Sequence, residues 1–144
     1  MIRRVARIAV ASVGMLVAWA ALDTLAHRLW LAPMYAARPE LWRPEETIQP
    51  GLVVLATCVL AAVFVTLYTA LVRPKSLGAG LGAGGLLGLA LGTASGLGTF
   101  IHSPIPASLA VAWFGLGLTK GLLAGALLGA LVVDGPNTGP GPEG

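Results

Sequence analysis

The sequence predicts an all-α polytopic membrane protein, a bundle of four transmembrane helices, and three observations carry that expectation. The chain of 144 residues is 56% hydrophobic and only 10% charged, and its mean hydropathy is +0.84. That is too little charge to coat a soluble domain of this size. Four stretches, approximately 5–30, 51–72, 77–101 and 107–133, are long and apolar; crossing a bilayer core of about 30 Å takes roughly 20 helical residues. None of the four alternates apolar and polar residues as a barrel strand does, so helices are the spans they suit.

The first span follows the basic start MIRRVAR. The small residues AWA at 18–20 resemble a signal-peptide cleavage site, but the apolar run continues past them to Trp30, so an uncleaved first span is expected. Next comes the segment 32–48, rich in aromatic, charged and proline residues. Trp30, Tyr35 and Trp42 fit an aromatic belt at headgroup depth. Arg28, Arg38 and Arg43 are placed to meet lipid phosphates or the nearby Glu40, Glu45 and Glu46. Pro33, Pro39 and Pro44 break the segment into short pieces, which predicts a cap lying along the membrane surface.

Thr47 and Pro50 suit the start of the second span, and Pro74 its end. This span is bulky, β-branched and almost free of glycine, as suits contact with lipid or a partner protein. Its mid-span Cys58 is the single cysteine of the chain, so no intrachain disulfide forms and a packing role is expected. The third span repeats glycine every four residues at Gly80, Gly84, Gly88, Gly92 and Gly96. The fourth, expected to start at Ser103-Pro104, does the same at Gly117, Gly121, Gly125 and Gly129. Residues four apart share a helix face, so the two spans predict an antiparallel glycine-zipper hairpin with close backbone approach. The spans make one domain over residues 1–133, and the Gly- and Pro-rich tail 134–144 is expected to be disordered.

Orientation follows from Lys and Arg. With the N-terminus in the cytoplasm, Arg3, Arg4, Arg7, Arg73 and Lys75 lie inside against Arg28, Arg38 and Arg43 outside, favouring cytoplasmic termini. The formal net charge of +3 reports this topology, with no basic-aromatic pattern pointing to nucleic acid.

Polar groups within the spans are few, and such groups are costly in lipid. Asp23 and His27 are four apart near the outer end of span one, and Lys120 lies near the middle of span four. Its long stem can reach toward Asp23, predicting an ion pair that staples spans one and four; the alternative is a proton or ion pathway. No cofactor is expected. The opposing reading is haem or a metal held between His27 and His102, two imidazoles at one depth but with no further ligands. No paired-carboxylate site, nucleophile triad or zinc spacing occurs, so no enzyme chemistry is expected.

His27, Pro33, Tyr35, ARPELWRPEE at 37–46 and IPASLAVAWF at 105–114 together resemble a group of small four-span bacterial inner-membrane proteins. These share a His…Pro-x-Tyr…Leu-Trp-Arg loop. The resemblance implies the four-span architecture, a bacterial inner membrane and weight on His27, Tyr35, Trp42 and Arg43; it implies no activity. The functional expectation is a structural or accessory subunit that packs against a larger membrane complex or self-associates. The alternative is a small oligomeric transporter or channel for protons, ions or a small solute using Asp23, His27 and Lys120; a haem or metal carrier is third.

Overall fold

The computed structural model describes residues 2–134, which are helical without a strand. Four helices are long and apolar enough to cross a membrane: α1 (Ile2–Trp30), α3 (Pro50–Leu71), α4 (Leu77–His102) and α5 (Ala107–Leu131). A short helix α2 (Ala32–Ala36) and single 3₁₀ turns at Pro39–Leu41 and Glu45–Thr47 make up the segment between α1 and α3. Ile2 and Asp134, the first and last described residues, therefore lie at one end of the bundle and this segment at the other.

The helix limits differ from the apolar runs by a few residues, for identifiable reasons. Helix α1 starts at Ile2, ahead of its apolar run, because Arg3, Arg4 and Arg7 are good helix formers and the helix does not stop where hydrophobicity does. Thr47 does not start α3. Its hydroxyl donates to Pro44 O at 2.8 Å within a 3₁₀ turn, and α3 begins with Gln49 as its cap and Pro50 in the first turn. Ser103 likewise ends α4 in an extended conformation, as the residue before a proline favours, and α5 starts after Pro106. The cap that the sequence reading passed over is Ser76, whose hydroxyl oxygen accepts from the Ala79 N–H at 3.1 Å at the start of α4.

Helix α5 stops at Leu131 instead of running to 133, because the chain turns to tie itself to the α3–α4 connection. The Lys75 N–H donates to Asp134 Oδ2 at 2.7 Å, the buried Lys75 ammonium lies 3.8 Å from Asp134 Oδ1, and the Tyr68 hydroxyl donates to Val132 O at 3.2 Å. Asp134, the first residue of the expected disordered tail, is thus held in place; residues 135–144 lie outside the described residues.

Helices α4 and α5 form the most extensive contact in the molecule. Gly80, Gly84, Gly88, Gly92 and Gly96 are buried along α4, as are Gly117, Gly121, Gly125 and Gly129 along α5. A Cβ added at Gly84 would collide with Gly121 O and the Gly125 backbone, and one at Gly121 with Gly84 O and the Gly88 backbone. The seam runs on past the α5 glycines: Gly92 rests on Phe114, and Gly96 on Ala110 and Phe114. Lipid tails are as apolar as leucine, so such close van der Waals contact is what holds two helices together in a bilayer.

Helix α1 lies against this hairpin through Ala11, Met15 and Trp19, all fully buried. The Trp19 indole donates to Lys120 O at 2.9 Å and meets the Phe64 ring edge-on, with centroids 5.4 Å apart. Helix α3 is held through one half only. Ala61, Phe64 and Tyr68 are buried, whereas Leu52, Val53, Val54, Leu55 and Val59 are each more than half exposed. Cys58 also lies on the exposed surface.

Candidate functional site

The polar side chains gather where two helices widen. Directly after Asp23, residues Thr24–Trp30 of α1 are wound as π-helix, with the Leu31 N–H donating five residues back to Ala26 O at 2.8 Å. Helix α4 carries a second π segment at Thr93–Gly98. Such turns spread the side chains of a helix apart and are frequent at functional sites. Between the two lies a cleft of about 240 Å³ lined by Asp23, His27, Ser95, Trp113 and Lys120, with Leu60, Leu91 and Leu116 as apolar wall.

Asp23 and Lys120, separated by 97 residues, meet here: the ammonium donates to Asp23 Oδ2 at 2.7 Å. The Lys120 ammonium nitrogen lies over the Trp19 ring, 5.9 Å from its centroid. The pair is largely buried, with side-chain exposures of 20% and 33%, so it works in a medium where each charge without the other is costly. Asp23 Oδ1 is a buried polar atom without a hydrogen-bond partner, and among the described residues no other buried side-chain nitrogen or oxygen shares that condition.

His27 is fixed by the surface segment. Tyr35 Oη lies 2.6 Å from His27 Nδ1, and the two rings are nearly parallel at 9°. The Trp113 indole donates to the same hydroxyl at 2.9 Å. The Tyr35 hydroxyl thus bridges the Trp113 indole on α5 and the His27 imidazole on α1. The Trp42 indole donates to Tyr35 O at 3.1 Å, and the Trp42 ring meets those of Tyr35 and Trp113 edge-on. Fully buried Leu31 and Leu109, with Ile105, support this cluster.

Of the three residues expected in the aromatic belt, Trp30 stands out from the bundle, whereas Tyr35 and Trp42 are half-buried. Trp30 is 59% exposed, as a headgroup anchor would be. Tyr35 and Trp42 turn inward because their polar atoms find partners on α1, α5 and their own backbone. The segment is a plug at this end of the bundle, bonded through Tyr35 to His27 and Trp113, two of the residues that line the cleft. Trp113 and Trp19 are the residues that the sequence reading missed: each lies in an apolar run, where only the helical register tells an inward indole from a lipid-facing one. Arg43 is exposed. Arg38 pairs with Glu40 at 3.1 Å with both side chains at least half exposed, which contributes little to stability.

His102 is exposed at the end of α4. No group of three or more His, Cys, Asp or Glu that could hold a metal occurs among the described residues. The larger groove, about 800 Å³ between α1 and α5, is lined by Leu25, Trp30, Met34, Val111 and similar residues. It gathers none of the charged groups.

Burial raises the pKa of Tyr35 above its ordinary 10.0, with the Trp113 hydrogen bond opposing the shift. An acid whose pKa is raised on folding stabilises the fold below its unfolded value and loses that contribution as pH rises through the folded one. Stability should accordingly decline above pH 10, through the window in which Tyr35 ionises. Tyr35→Phe should cost about 1–3 kcal/mol, since it leaves the Trp113 N–H without its acceptor. Melting in detergent measures this, and a variant as stable as the parent would refute the role of Tyr35 as hub. Compared with protein-family models, with curated proteins and with solved structures, the chain finds no match, so its site is read from its own geometry.

Proposed function

We propose that this protein is a structural or accessory subunit of a bacterial inner membrane, a compact four-helix bundle that packs against other membrane-protein subunits or against copies of itself. The carrying observation is that the two intramembrane charges neutralise each other inside the bundle, Lys120 Nζ on Asp23 Oδ2 at 2.7 Å. Charges spent on cohesion are those of a scaffold. Helix α3 adds support, since the half nearest the plug exposes a smooth apolar surface next to the bundle. Native mass spectrometry after mild extraction tests the reading. A fixed heteromeric or homomeric assembly is expected, and a monomer under all mild conditions would overturn it.

A second reading has one observation in its favour. Asp23, His27 and Lys120 all line one cleft, as a small oligomeric transporter or channel for protons, ions or a small solute would require. A proton- or solute-dependent phenotype lost without loss of assembly would favour it over the scaffold.

In either case the proposed orientation has both termini in the cytoplasm and the plug outside, supported by the excess of Arg3, Arg4, Arg7, Arg73 and Lys75 at the terminal end. Glu40→Cys in a Cys58→Ala background should react with an impermeant thiol reagent in intact cells. Reaction only after permeabilisation would invert the topology.

A further inference from the structure

We propose that the wedge between α3 and α4, at the end of the bundle where Ile2 and Asp134 lie, binds one acyl chain of an anionic phospholipid, with the headgroup on Arg73. The inference goes beyond the scaffold reading and does not rest on it.

The wedge follows from how the two helices are held. Helix α4 is committed to α5 through its glycines, and α3 touches it far less than α5 does. The space left between them is about 250 Å³. Leu67 and Leu71 of α3 form one wall, and Ala83, Leu86 and Leu87 of α4 the other. The one polar side chain on the lining is Tyr68, and its hydroxyl already donates to Val132 O at 3.2 Å. No other lining side chain offers a hydrogen bond, so an occupant with polar groups along its length would leave them unpaired. Hydrocarbon is the chemistry that fits.

Depth and charge narrow hydrocarbon to a lipid chain. From Phe64 to Leu71 the wedge follows α3 for about 11 Å, most of the roughly 15 Å of hydrocarbon in one leaflet. Val72 lines its end, and Arg73 follows directly. The Arg73 guanidinium donates through Nη1 to Thr69 O at 3.0 Å and to Val72 O at 2.8 Å, which pins it against the last turn of α3. It is exposed, and among the described residues no carboxylate pairs with it. The neighbouring Lys75 is spent on Asp134. The Nε and Nη2 donors of Arg73 are therefore placed to grip a phosphate in fork geometry. Basic groups at the membrane edge of a gap between spans are where anionic headgroups bind. A zwitterionic lipid offers the same phosphate but brings its own cation beside Arg73.

Native mass spectrometry of the whole chain in mild detergent reads the adducts formed with phosphatidylglycerol and phosphatidylcholine of identical chains. Phosphatidylglycerol should be retained about fivefold over phosphatidylcholine, as one cation beside a headgroup implies. Arg73→Gln should abolish that preference. Arg43→Gln, which removes an exposed arginine at the plug end, should leave it unchanged. Ala83→Phe fills the wedge and should remove the retained lipid with Arg73 in place. Leu86→Trp fills it from a side chain that is 72% exposed, and so serves where Ala83→Phe does not fold. Equal retention of the two lipids, a preference lost equally in Arg43→Gln, or lipid adducts that survive both filling variants overturns the proposal. So does a homomeric assembly that the filling variants dissociate, which would give the wedge to a second copy.

Discussion

Gly121→Leu should abolish the folded bundle, and even Gly121→Ala should lower its stability by about 1–3 kcal/mol, the usual cost of overfilling a packed interior. The seam between α4 and α5 leaves no room for the smallest side chain. A Cβ at Gly121 would meet Gly84 O and the Gly88 backbone closer than real Cβ contacts come. These are backbone atoms, which cannot rotate away as the end of a side chain would. The helices must separate, and the contact that holds them is lost along its length. Gly84→Ala should behave alike. Gly78→Leu and Gly82→Ala serve as controls, since an added Cβ meets nothing within 4 Å at either position. Alanine has a higher helix propensity than glycine, so Gly82→Ala should be neutral or stabilising by up to about 1 kcal/mol. Detergent melting of the five variants decides the matter. Equal losses at facing and outward glycines would refute the close backbone seam.

How far the molecule could be read in advance depended on whether the signal was periodic or singular. Four spans announce themselves by length, and glycine at every fourth position defines a face whatever surrounds it. Span limits are less legible, because α1 continues through arginines that are polar yet helix-forming. Lys120 and Asp23 stood out because a charge in lipid needs a partner, and few candidates existed. Trp113 had no such mark. Its indole matters only because the segment after α1 folds back and places Tyr35 Oη 2.9 Å from it. That return is set by tertiary packing of Leu31 on Ile105 and Leu109, which no local pattern encodes. The π turns at Thr24–Trp30 and Thr93–Gly98 were equally hidden, since nothing in their composition distinguishes them from ordinary helix.

Neutralising one partner of the Asp23–Lys120 pair should hurt the bundle more than neutralising both. Lys120→Met leaves the Asp23 carboxylate buried with neither oxygen paired, because Oδ1 has no partner to begin with. Asp23→Asn strands an ammonium near the Trp19 face. Losing one member of a buried pair typically costs about 3–5 kcal/mol. The partial exposure of both side chains to the cleft, 33% and 20%, places the expectation at the lower end of that range. The double variant removes both charges, leaves no stranded ion, and retains the Trp19 indole bond to Lys120 O, which is a backbone contact. It should therefore assemble nearly as the parent does and melt above either single variant. Assembly yield and melting of the three proteins supply the comparison. A double variant as poor as the worse single one would show that the pair is not a self-contained staple. Normal assembly accompanied by loss of a proton- or solute-dependent phenotype would instead move the two charges from scaffold to transport.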